Sequence, residues 1–148
     1  MDDLVQFLRD RLDEDETVAH LAAEPESWME LNRQPRADWH VQLWADPDVA
    51  AVIADPESSA YPVAATPDGM DERDAEARAT HIARHDPARV LADVEAKREL
   101  LGRYEALESG VLVMTGAESI LSEYRRVVLP SLALPYADHP DYREEWRP

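Results

Sequence analysis

Six prolines, Pro25, Pro35, Pro47, Pro56, Pro62 and Pro67, cut residues 25–67 into pieces too short for ordinary helices. Each proline removes a backbone donor and crowds the preceding turn. On both sides of this segment apolar residues recur at helical spacing, so the chain must be helical at its ends and something else between. Within the segment, Trp39-His40-Val41-Gln42-Leu43-Trp44 alternates, with Trp39, Val41 and Leu43 on one side, His40 and Gln42 on the other, and Trp44 out of step. That pattern predicts a strand. Val49 to Ala54 reads either as a second strand after an Asp46-Pro47-Asp48 turn or as a short helix capped by Asp46. Tyr61 to Ala65 reads as a further short strand, completing a small antiparallel meander.

The flanking helices are marked by their apolar stripes. Asp3 to Ala23 carries Val5, Leu8, Leu12, Ala19 and Ala22 at spacings of three and four, with Leu4 and Leu21 beside them and Asp2 or Asp3 as N-cap. From Asp71, a thin stripe of Ala75, Ala79 and Ile82 leads to His85-Asp86-Pro87. Asp as N-cap followed by Pro at the first helical position marks the start of a new helix. That helix, Pro87 to Glu108, buries Val90, Leu91, Val94, Leu101, Tyr104 and Leu107, and Gly110 stops it. Asp93–Lys97 and Glu99–Arg103 have the spacing of favourable acid-first pairs. Thr115-Gly116-Ala117-Glu118 has capping-box spacing and announces a helix through Ile120, Leu121, Tyr124, Val127 and Val128, which Pro130 ends or kinks. The expected fold is α+β: about four main helices around one core, with a small antiparallel meander inserted after the first. Residues 1–148 are expected to form one domain, with 25–67 as an insert and 132–148 as a C-terminal strap.

Charge narrows the partners. Thirty-two acidic residues face 15 basic ones, a formal net charge of −17, and all the basic residues but Lys97 are arginines. So negative a chain is repelled by phosphate backbones and anionic membranes, which disfavours direct nucleic-acid binding and favours a protein with a basic surface. A homo-oligomer is compatible with the sequence. With no cysteine, a metal would have to rest on histidine and carboxylate. No stretch reaches the ~18 apolar residues of a membrane span, and the N-terminus lacks a basic start followed by an apolar run, so a cytoplasmic location is expected.

Two groups of side chains carry the candidate chemistry. His81 and His85 stand four apart on one helix face beside Asp86, and could share a zinc ion if His139 or Asp86 completes the set. The competing expectation is that His85 packs at the corner while Asp86 caps. For interaction, the run Asp13-Glu14-Asp15-Glu16 is either a solvated face or a docking site for a cationic partner. His139-Pro140 opens a short helical turn that places Tyr142 and Trp146 on one side. These two rings either strap the end of the chain onto the domain or form an exposed docking motif. No glycine-rich phosphate loop or nucleophile elbow is present, and no catalytic residue is assigned.

Three blocks carry a resemblance: residues 1–16, His81-Ile82-Ala83-Arg84-His85-Asp86-Pro87-Ala88-Arg89-Val90-Leu91, and Leu134-Pro135-Tyr136-Ala137-Asp138-His139-Pro140-Asp141-Tyr142-Arg143-Glu144-Glu145-Trp146. Together they make the chain similar to a family of small proteins of unknown function encoded in actinobacterial and some phage genomes. The resemblance implies no activity. It also implies a Cys- and His-bearing segment before the terminal block in many members, and here residues 108–116 contain neither type. Three functions are expected in order: a non-catalytic interaction module, a nucleic-acid-mimicking inhibitor of a DNA-binding protein, and a small metal-dependent enzyme at the His81/His85 corner.

Overall fold

The computed structural model describes residues 1–23, 37–43, 50–54, 63–66 and 71–148. The chain is α+β. Helix α1 (Asp2–Ala23) is followed by strands β1 (His40–Leu43), β2 (Ala50–Ile53) and β3 (Ala64–Ala65), then by α2 (Glu72–Arg84) and α3 (Pro87–Glu108). The last helical run joins α4 (Ala117–Glu123), a π turn (Tyr124–Val128) and α5 (Leu129–Ala133) without a break in helical dihedrals. Two compact units are distinguished: Met1–Asp15 with Asp93–Pro148, and Glu16–Ala92.

In the second unit β2 is the middle strand, antiparallel to both neighbours. His40 pairs with Ile53 and Leu43 with Ala50, while Ala51 and Val52 face Ala65 and Ala64. All four residues of β2 are buried, which explains its sequence ambiguity: a strand covered on both faces loses the alternation that distinguishes it from a helical turn. Thr66 closes the sheet edge, its hydroxyl accepting from the Ala50 amide at 2.9 Å and donating to the Ala50 carbonyl at 3.2 Å. Ala50 and Val52 pack with Ala75 and Ala79 of α2, and Trp39, Val41, Ala64 and Ala83 surround them. Leu43, expected beside Val41, is half exposed at the strand end. Ile82, expected in the α2 stripe, is also partly exposed, and Ala83 takes its place. The Asp46-Pro47-Asp48 turn, Trp44, Tyr61 and most of the 25–67 insert lie outside the described residues.

The α2–α3 corner is built as the sequence predicts. Asp86 Oδ1 accepts from the Arg89 amide at 2.8 Å, the N-cap bond, while Oδ2 accepts from the Trp39 amide at 3.3 Å. The Ala88 amide donates to the Ala37 carbonyl at 3.1 Å, so the segment before β1 is tied to the start of α3. Asp86→Ala is expected to cost about 1–2 kcal/mol. Asp86→Asn should recover most of it, because an amide oxygen still accepts. Urea unfolding of the two variants checks this, and equal losses would contradict the capping role.

In the first unit, Leu4, Val5, Phe7, Leu8 and Leu12 of α1 are buried, as are Val94, Leu101, Tyr104 and Leu107 of α3 and Leu121, Tyr124, Leu129 and Ala133 of the last run. Three expected details are corrected. Met1, not Asp2 or Asp3, precedes α1, its carbonyl accepting from the Leu4 and Val5 amides. Leu21 and Ala22 are exposed and Ala23 is buried instead. Thr115 forms no capping box: Gly116, at φ 80°, leads into α4 with no side-chain cap. Of the two outcomes expected at Pro130, an end or a kink, the helix does not end there but is distorted just before it. The preceding π turn, in which the Leu129 amide reaches back to the Tyr124 carbonyl, absorbs the lost donor and the ring clash.

Candidate functional site

At the corner, the His85 Nδ1 lies 2.8 Å from the His81 carbonyl. The carbonyl can only accept, so Nδ1 carries the proton and Nε2 is left for other partners. The two imidazoles sit 4.4 Å apart, tilted by 45°, and both side chains are exposed. Asp86 uses both carboxylate oxygens as a cap. His139 belongs to the first unit, where its Nε2 meets Arg11 Nη1. Among the described residues, no three His, Cys, Asp or Glu side chains come together as a metal site.

Sequence reasoning missed the arginines around this corner. A groove of about 550 Å³ is lined by Arg73, Thr80, His81, Arg84, His85 and Arg89, with Ala77 and the carboxylate of Glu76. The residues from α2 lie opposite Ala75 and Ala79, which face the sheet. The signal was present: 73, 77, 80, 81 and 84 follow helical spacing on the polar face. Reading only the apolar stripe hid it.

The terminal segment gathers on Phe7. Rings of Trp146, His139, Tyr142 and Tyr136 lie at 5.0, 5.8, 6.1 and 6.3 Å from it. Tyr142 and Trp146 meet edge to face at 5.9 Å and are half-buried. The expected helical turn from His139 is replaced by hydrogen-bonded turns and a short 3₁₀ turn, Glu144–Trp146, entered through an extended Arg143. Arg143 also pairs with Asp3 at 2.8 Å and lies over the Trp146 ring.

The acidic run is partly engaged within its own unit. Asp13 pairs with Arg98 at 2.5 Å, Glu14 with Arg11 at 3.4 Å, and Asp15 accepts from the Tyr136 hydroxyl at 2.6 Å. Burial, reinforced by that acceptor, pushes the Tyr136 hydroxyl well above the ordinary tyrosine range. Glu16 follows at the start of the second unit.

A family model for DUF6221, a family of unknown function, matches residues 1–148. The chain belongs to that family. No curated protein and no solved structure matches it. For this DUF6221 member, the match spans the helical ends and the proline-rich middle alike, so the insert is within the family's extent. Among the described residues of this DUF6221 chain, no helix is long and apolar enough to cross a membrane.

Proposed function

We propose that the protein is a non-catalytic interaction module that engages a basic protein surface through its acidic helical exterior. The carrying observation is the state of the carboxylates on α3. The acid-first pairs expected there do not form: Lys97 lies 5.8 Å from the Tyr136 ring centroid, and Arg103 makes no ion pair among the described residues. Asp93, Glu95 and Glu99 are exposed and make no ion pair among the described residues. Charges held in this way keep their full field for an approaching cationic partner, at the cost of mutual repulsion. The setting we assign is the cytoplasm of an actinobacterial cell or of one infected by phage, on the strength of the three sequence blocks and the lack of cysteine.

The test is co-purification from native host extract at low salt, comparing wild type with the triple variant Asp93→Lys, Glu95→Lys, Glu99→Lys. Wild type is expected to retain a basic protein that the triple variant and about 0.5 M salt both release, since screening at that strength is severe. Equal retention by the reversed-charge variant would refute the proposal. If the captured protein binds DNA and the acidic chain competes with that DNA, the reading narrows to nucleic-acid mimicry.

A further inference from the structure

We infer that the groove on the polar face of α2 binds the phosphate group of a small molecule. Arginine pairing makes it stand out. In the first unit every arginine but Arg103 pairs with a carboxylate: Arg9, Arg11, Arg98, Arg125, Arg126, Arg143 and Arg147. Among the described residues, Arg73, Arg84 and Arg89 have no carboxylate partner, although all three line one concavity with His81 and His85. Glu76 is the carboxylate in that lining, and it pairs with none of them. Three arginines lining one groove repel each other, and an anion bound in it would offset that repulsion.

The chemistry of the cations selects the ligand. One arginine fork saturates a carboxylate, whereas a tetrahedral phosphate offers three or four acceptor oxygens to several forks at once. The Thr80 hydroxyl adds a neutral donor in the same lining. The His85 ring is oriented by the His81 carbonyl, and its Nε2 becomes a further donor when protonated. A cavity of about 550 Å³ is the size of small-molecule sites. Ligand size is also set by the surroundings. Glu72 and Asp74 are exposed on the same helix and the chain carries −17, so nucleic acid or an anionic membrane would meet repulsion beyond the groove. A single phosphate group feels chiefly the local cations, because charges farther than about 8 Å are screened at physiological ionic strength.

Calorimetric titration of the full chain with pyrophosphate and inorganic phosphate tests this, with EDTA present so that no cation bridges the probe to His81 and His85. Saturable one-to-one binding of pyrophosphate is expected, weakened at least about tenfold by Arg84→Gln with Arg89→Gln. Arg103→Gln, a loss of one charge outside the groove, should leave affinity within about twofold, and circular dichroism should report the same fold for all three proteins. Absence of saturable binding up to about 10 mM probe overturns the inference. So does equal weakening by Arg103→Gln, or binding of a DNA duplex or anionic vesicles in place of pyrophosphate.

Discussion

Replacing Phe7 with alanine is expected to destabilise the first unit by about 3–5 kcal/mol. Its ring is buried at 6% exposure and is the shared contact of Tyr136, His139, Tyr142 and Trp146. Truncation removes transfer free energy and leaves a cavity that four rings, held by backbone turns, cannot all move to fill. Arg11 also lies against this ring, 5.6 Å from its centroid, and loses that support. The melting temperature should fall by roughly 10 °C or more. Proteolysis should then cut first within residues 138–148, because Tyr142 and Trp146 lose the surface they rest on. A loss below about 1 kcal/mol, or an unchanged cleavage pattern, would show that the terminal segment is held by its ion pairs instead.

Tyr104→Ala is expected to cost a similar amount, with Tyr104→Phe costing about 1–2 kcal/mol. Tyr104 is fully buried, its ring stacked at 6.0 Å on Tyr124, and its hydroxyl donates to Glu108 at 2.5 Å while accepting from Arg125 at 3.3 Å. Arg125 in turn pairs with Glu108 at 3.0 Å, closing a three-membered network. Burial, with the Arg125 hydrogen bond opposing it and Glu108 adding to it, raises the Tyr104 pKa. The tyrosine hydrogen bond, with Arg125 assisting, lowers that of Glu108 against a desolvation penalty. The raised tyrosine binds its proton more tightly folded than unfolded, so its contribution is whole below pH ~10 and is lost as pH rises beyond it. The lowered glutamate contributes above its ordinary pKa of ~4.3 and loses that contribution as pH falls. Tyr104→Phe should therefore flatten the alkaline limb of a stability-against-pH curve, leaving the part due to Tyr136. An alkaline limb identical to wild type would contradict the assignment.

The elements legible in the sequence were those with one-sided periodicity. α2 and α3 announced themselves through Ala75 and Ala79, through Val94, Leu101, Tyr104 and Leu107, and through the Asp86-Pro87 junction. β2 was half legible, since burial on both faces erased its alternation. What failed depended on contacts distant in sequence. Phe7 has no periodic distinction within α1, yet residues 129 or more positions away converge on it. The pairs Asp93–Lys97 and Glu99–Arg103 had the right spacing, but such pairs are worth only ~0.2–0.5 kcal/mol, and Lys97 lies instead over the Tyr136 ring. Thr115 had the right spacing for a cap as well, and a left-handed glycine took that place. Of the candidate residues, His81, His85 and Asp86 were found as neighbours, whereas the arginines beside them needed the groove itself to be seen.

The five-residue turn at Tyr124–Val128 has a consequence for hydrophobic phase. At about 100° per residue, an unbroken α-helix would carry Leu129 about 140° around the axis from Tyr124. Both are buried. The widened turn works as a vernier, slipping the sequence by one position so that two apolar stripes out of step with each other fall on the same side. The proline that follows is then less an interruption than the marker of where the slip is made.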